Sequence, residues 1–396
     1  MRKIISNLRP LKTESDSLLH LDVLRFLAAC GIVYHHSHEF FYAVPDRAGV
    51  MVRTASLGLF VSLFFMISGF VIAFVYSSRM ASIVDFGRFM RRRVGRLVPL
   101  HLLTLLVAVL VGFGIVFAKI EMSNAPELSV KCIATTAALL HSIIDCGGLS
   151  FNGVTWSISV EVTMYVLFPL LVVIFARGKY LAVIAGVVLG LIAIWLSHYR
   201  VDIWERVPIL VRALPAFLFG MGLYYARTWV ARLPQPVTVL ALSFIALVYS
   251  MLNGYPTAAS ILCYIVAASG VATDLSGRRS AFIARVAPLG QLTYSIYMTH
   301  YLVILVVLNG IGDKLLRLDT LPMILLSLLV YALVGIISYI SYQYFETPAR
   351  RWIDGSTGLV GRHKTRTQPE GGTGENSPKS ESRVPSGPNS PAIGEH

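Results

Sequence analysis

Charge is what this chain has least of. Only 14% of its 396 residues are Asp, Glu, Lys or Arg, whereas 55% are hydrophobic, and the mean hydropathy is +0.68. A soluble globular protein carries charge on about a quarter of its residues, so this chain cannot clothe a water-facing surface of its size. The shortage excludes a soluble enzyme or binding domain and points to an all-α, polytopic integral membrane protein. The few charges that remain sum to +13. Because the basic residues fall mainly between apolar segments, they read as membrane orientation signals, and no nucleic-acid partner is expected.

Cysteine is scarce as well, at four residues. Cys30 and Cys263 fall in apolar runs, where small buried thiols are unremarkable. Cys132 and Cys146 share one hydrophilic connection and would meet only if it folds back on itself. A straight helix through both would hold them about 21 Å apart at ~1.5 Å per residue, too far for a disulfide. Free thiols are therefore the expectation.

Long apolar runs are plentiful. A membrane helix needs about 20 mostly apolar residues, and candidates occur at 18–40, 55–77, 97–118, 153–176, 180–197, 207–226, 236–252, 257–273, 288–309 and 321–344. That gives about ten spans. The LAAC at 27–30 imitates a lipoprotein cleavage signal, but Asp22 and Arg25 interrupt the apolar core before it, so the segment is expected to stay as the first span. The stretch 131–144 is too short and reads as a re-entrant or surface helix. With the N-terminus inside, cytoplasmic segments collect Arg2, Lys3, Arg9 and Lys12, the arginines of 79–96, and Arg278, Arg279 and Arg285. The external loops hold far fewer basic residues, which is the positive-inside pattern. The expected organisation is a cytoplasmic segment at 1–17, a membrane domain at 18–352, and a disordered cytoplasmic tail at 353–396 rich in Gly, Pro, Ser and charge.

Ionisable groups inside hydrocarbon are costly and usually face a polar cavity. Asp22, Arg25, His36, Glu161, Arg212 and His300 are therefore the informative residues, against the plainer reading that they pair only to hold the bundle. The run YHHSHEF (34–40) places three histidines at the end of the first span. At about 100° per residue, His36 is rotated only ~20° from Arg25, so the two share a face, ~16 Å apart along the axis. His35 and His38 point away and read as interfacial. Glu39 stands one turn beyond His36, in position to orient its imidazole. Metal binding by His35, His38 and Glu39 is the minor alternative, and no metal is expected. A histidine facing a cavity suits proton transfer, and an arginine on the same face suits an anion. The stretch RFMRRRVGRLVPLH (88–101) carries five arginines. It reads as a loop before a helix opened by Pro99, with Arg93 and Arg96 forming a fork for phosphate oxygens.

These motifs resemble the acyltransferase-3 family of polytopic bacterial membrane proteins. The resemblance rests on LDVLRFLAACGIVYHH (21–36), SLFFMISGFVIAF (62–74), RVGR (93–96) and WSISVEVTMYVLFP (156–169). It continues through RALPAFLFGMG (212–222), LGQLTYSIYMTH (289–300) and YFETPAR (344–350), so it covers about 18–352. Val23 stands where many members have glycine, and Thr293 replaces a common serine. The resemblance implies an O-acyltransferase moving an acyl group, commonly acetyl, from acetyl-CoA or another acyl-CoA to a sugar of a surface polysaccharide, lipopolysaccharide or other glycoconjugate. It implies His36 and Glu161 as catalytic residues and Arg25, Arg93 and Arg96 as acyl-CoA contacts. Trp156, Ser157, Arg212, Tyr297 and His300 become substrate contacts, and Ser68-Gly69 a site of close helix approach. The expected setting is the bacterial inner membrane, multi-pass, with both termini cytoplasmic and a carbohydrate or glycolipid acceptor. The alternative is a flippase of a lipid-linked saccharide, although the paired interrupted helices common in transporters are not apparent.

Overall fold

The computed structural model describes residues 18–117, 128–144, 151–176, 180–199 and 212–355, with Leu11, Lys119 and Gly178 besides. Among the described residues every regular element is helical. The tail from 356, most of the N-terminal segment and Cys146 lie outside them.

Each expected span falls on a helix. Six stretches are long and apolar enough to cross a bilayer by length and composition: Ala55–Arg79, Ile83–Phe117, Trp156–Phe175, Pro256–Leu275, Ala281–Leu315 and Thr320–Gly355. The other expected spans fall on shorter helices: α1 (Leu19–His35) and the helices Leu181–Tyr199, Leu214–Tyr225 and Pro236–Leu252. The architecture is that of an all-α polytopic membrane protein.

α1 starts where it does because another helix caps it. Leu18 offers no side-chain cap. The carboxylate of Asp274 accepts instead from His20 N at 2.9 Å and Leu21 N at 3.0 Å, and lies 2.7 Å from His20 Nδ1. The orphan amides of a helix start are thus satisfied by a distant carboxylate, which also suits the helix dipole. At the other end, His36 forms the C-cap, and the chain tightens into a short 3₁₀ turn at His38–Phe41 before α2 (Val44–Arg53).

Close approach of α3 (Phe60–Tyr76) to the helix Leu214–Tyr225 depends on two glycines. A Cβ on Gly69 would strike the Phe217 carbonyl, and a Cβ on Gly220 would strike the Met66 carbonyl. Each helix gives way at the point where the other's backbone presses, the usual use of small residues between membrane helices.

Two expectations about local structure are corrected. The arginine run is helical: α4 runs unbroken from Ile83 to Phe117 and passes through Pro99. Ser82 starts it, its Oγ accepting from Asp85 N at 3.2 Å while donating to the Asp85 carboxylate at 2.7 Å. At ~1.5 Å per residue a helix of 35 residues is about 52 Å long, so its charged N-terminal turns extend well beyond a ~30 Å hydrocarbon layer. Cys132 is also disulfide-bonded rather than free. The straight helix assumed for 132–146 does not exist. α5 (Val130–Ala137) stops after eight residues, and Leu139 takes φ +57°, a left-handed conformation that does not continue a helix. An eight-residue helix of about 12 Å is too short to cross a bilayer.

Candidate functional site

Three arginines from two helices meet at one cavity. Arg25 of α1 and Arg93 and Arg96 of α4 line a cavity of ≈ 90 Å³, with Glu161 of α6 (Trp156–Ala176) opposite them. Arg93 is held in place by aromatic rings. Its Nη2 donates to Tyr76 Oη at 3.1 Å, and its guanidinium lies 5.2 Å from the Tyr76 ring, 5.7 Å from Phe89 and 5.8 Å from Tyr165. Such stacking suits the flat, weakly hydrated guanidinium better than it would an ammonium. Arg25 keeps an i,i+3 ion pair with Asp22 at 3.7 Å. Glu161 accepts from Ser68 Oγ at 2.9 Å and from the Tyr165 hydroxyl. With three guanidinium groups facing one carboxylate, the lining favours an anion.

From the cavity a run of packed side chains on the helix Thr293–Ile304 leads to the histidines. Ser157 and Tyr297 line the cavity together, their hydroxyls 2.7 Å apart. The Tyr297 ring packs edge-on against Phe64 at 6.0 Å and lies 5.8 Å from the His300 imidazole. His300 in turn lies 5.4 Å from His36, and Tyr301 meets the His36 ring edge-on at 5.4 Å. His300 is three positions past Tyr297, so both project from one face of that helix. His36 itself does not line the arginine cavity but sits past it at the cap of α1.

A fourth arginine flanks the histidines. Arg212 Nη2 donates to the Gly58 carbonyl at 2.8 Å, and its guanidinium stacks 4.7 Å over the Trp156 ring. A Cβ on Gly58 would lie 3.7 Å from His35 Nε2 and 3.9 Å from Arg212 Nη2, so these two side chains meet above that glycine. Trp156 opens α6, and Ser157, Glu161 and Tyr165 follow along it toward the arginines.

The sequence reading of the neighbouring histidines is corrected. His38 is fully buried rather than interfacial. Its Nε2 lies 2.6 Å from Thr54 Oγ1 and its Nδ1 3.0 Å from the His35 carbonyl. The helical projection fails here because α1 ends at His35 and the following turn tucks His38 beneath Thr54. Glu39 makes no hydrogen bond to His36 among the described residues. Its ionisable neighbours are Arg47, His38 and Asp313. No group of three His, Cys, Asp or Glu side chains gathers to hold a metal among the described residues.

Glu161 lies with the arginines, and no described hydrogen bond or ion pair joins it to His36. Tyr165, Tyr76 and Tyr301 belong to the arrangement although the sequence reading did not single them out as site residues. Tyr165 is four residues past Glu161, a spacing that places the two one helical turn apart. Tyr76 and Tyr301 carry no comparable local signal.

Comparison with known proteins adds a family to this geometry. A family model described as an acyltransferase domain matches residues 18–343. The chain is 27% identical over 310 residues to Acyltransferase MdmB of Streptomyces mycarofaciens, covering 71% of this chain and 77% of that one. It is 35% identical over 145 residues to Protein 2 in picA locus of Rhizobium radiobacter, covering 36% of this chain and 64% of that protein. It is also 26% identical over 229 residues to Nodulation protein 10 of Rhizobium leguminosarum bv. viciae, covering 53% and 60%. No solved structure matches it.

Proposed function

The chain belongs to the acyltransferase-3 family of membrane acyltransferases, and from that premise we propose that it carries an acyl group, acetyl in the simplest case, from acyl-CoA to a sugar hydroxyl of a surface polysaccharide, lipopolysaccharide or other glycoconjugate. The observation that carries this reading is the connected run from the three-arginine cavity through Tyr297 and His300 to His36. A phosphorylated carrier needs guanidinium groups at one end, and a transfer to a hydroxyl needs a base at the other. Family membership also sets aside the flippase alternative.

In this scheme Arg25, Arg93 and Arg96 hold phosphates of the donor, and its pantetheine arm runs past Ser157 and Tyr297 toward His36. The acceptor hydroxyl attacks the thioester carbonyl while His36 takes its proton. A C–O bond forms, the C–S bond breaks, and CoA leaves as a thiolate that recovers the proton from the imidazolium. Trp156 and Arg212, stacked beside His35, form a flat, charged wall suited to sugar binding. Glu161 balances charge among the arginines through its bonds to Ser68 and Tyr165.

The setting is the bacterial inner membrane with the basic segments facing the cytoplasm. The disulfide at Cys132 supports this orientation. It falls in the connection after α4, on the face assigned to the outside, and disulfides persist in oxidising compartments. The test is release of free CoA from acetyl-CoA by the purified protein with envelope glycans present, alongside mass spectrometry of those glycans. Acetylated sugar is expected from the wild type and none from His36→Ala. A folded His36→Ala protein with full transfer activity defeats the reading.

A further inference from the structure

A histidine that acts as a base usually has its second ring nitrogen fixed by an acceptor, most often a carboxylate or a backbone carbonyl. Among the described residues no carboxylate bonds to His36, and Glu39, the expected candidate, does not reach it. The ring facing His36 is another imidazole, His300, whose centroid is 5.4 Å away with the planes inclined at 36°.

His300 is built for an acceptor role. It is fully buried, and its Nδ1 lies 3.0 Å from the Ile296 carbonyl one turn back on the same helix. A carbonyl only accepts, so Nδ1 carries the proton and Nε2 of the neutral ring is left with its lone pair. That Nε2 is buried and makes no hydrogen bond. An unmet buried acceptor is costly and calls for a donor. With ring nitrogens about 1.2 Å from each centroid, a separation of 5.4 Å brings facing nitrogens to about 3 Å once the rings turn toward each other.

We infer that His300 is the positioning residue of His36: its Nε2 accepts the N–H of one His36 ring nitrogen and leaves the other free to take the hydroxyl proton. The inference rests on the reading of His36 as the base. The groups around the pair fit this division of labour. The His35 ring lies beside His36 at 4.9 Å, tilted by 57°, Tyr301 closes its edge, and Tyr297 packs on His300 with its hydroxyl committed to Ser157 and the Val154 carbonyl. From the helix Thr320–Ser341, Ser338 meets Thr299 at 3.1 Å and brings no charge. Arg212, above Gly58 next to His35, is the nearby fixed cation.

The experiment compares His300→Ala, His300→Gln, His36→Ala and the double variant His36→Ala/His300→Ala, each first shown to be folded by size-exclusion chromatography and thermal melting. Acetyl-CoA-dependent acetylation of envelope glycans is followed across pH. His300→Ala is expected to lower kcat on the order of 100-fold with little change in the KM for acetyl-CoA, and to shift the pH profile. His300→Gln, whose side-chain carbonyl accepts a hydrogen bond, recovers part of the loss. The double variant is no slower than His36→Ala, because His300 acts only through His36. An unshifted pH profile in His300→Ala, or additive losses in the double variant, overturns the inference while leaving His36 as the base. Retained activity in His36→Ala overturns both.

Discussion

Ser68 Oγ donates a 2.9 Å hydrogen bond to Glu161 Oε1, joining α3 to α6 at the arginine cavity. The sequence suggests only a packing role for the Ser68-Gly69 pair, but the structure divides the labour. Gly69 gives room to Phe217, and Ser68 holds the carboxylate that faces three guanidinium groups. Ser68→Ala removes one of two described bonds to Glu161 and leaves the Tyr165 bond in place. A neutral hydrogen bond contributes about 0.5–1.5 kcal/mol, and one to a charged group somewhat more. Turnover of the acyl donor should therefore fall by roughly 5- to 20-fold, with insertion unchanged. Steady-state CoA release measures it, and wild-type turnover would remove Glu161 from the working arrangement.

Gly69 and Gly220 should behave differently from Ser68. Alanine at either position drives a methyl group into a carbonyl of the facing helix, and neither backbone can retreat without unpacking the pair. Overpacking of this kind costs typically 1–3 kcal/mol. Gly69→Ala and Gly220→Ala should lower the melting temperature and the yield of monodisperse protein, while the KM for acetyl-CoA of the surviving fraction stays near wild type. A large KM change with an unaltered melting temperature would assign these glycines to the ligand rather than to packing.

Much of this arrangement is legible in the sequence, because membrane burial makes each ionisable residue conspicuous. Arg25, Arg93, Arg96 and Glu161 stand out in apolar surroundings and line the same cavity. α1 is regular only up to His35, and His36 stands at its cap, outside the cavity that Arg25 lines. Prediction fails where the backbone departs from the assumed helix. His38 lies beyond the end of α1 and is buried by a 3₁₀ turn, and Cys132 lies on a helix that ends at Ala137, short of the left-handed Leu139. Pro99 misleads in the opposite sense, because a proline inside a membrane helix is tolerated where neighbouring groups re-satisfy the backbone. Contacts such as Arg93 with Tyr76 or His36 with His300 join residues remote in sequence and leave no periodic trace.

Arg93 offers a test of how the donor is held. Its guanidinium sits among Tyr76, Phe89 and Tyr165, so lysine replaces its charge but not its stacking or its forked donors. Arg93→Ala should raise the KM for acetyl-CoA at least tenfold, and Arg93→Lys should recover less than half of that loss on a logarithmic scale. The effect should shrink with a truncated donor such as an acetyl-pantetheine thioester, which lacks the nucleotide phosphates. Equal KM effects on the full and truncated donors would mean that Arg93 does not contact phosphate.

The sidedness of the chain can be tested with its own cysteines. Cys30 is exposed and free, Cys263 is buried and free, and Cys132 is disulfide-bonded. In a Cys30→Ser background on intact cells, a membrane-impermeant maleimide should label nothing until a mild reductant opens the Cys132 bridge. A cysteine placed at Ala81, before the arginine-rich start of α4, should remain unlabelled until the cells are permeabilised. The physical basis is the retention of arginine-rich segments on the cytoplasmic side and the persistence of disulfides on the oxidising side. Labelling at position 81 from outside would put Arg93 and Arg96 at the external end of α4. Cytoplasmic acyl-CoA would then have no route to them, and the proposed transfer would fail whatever the histidines do.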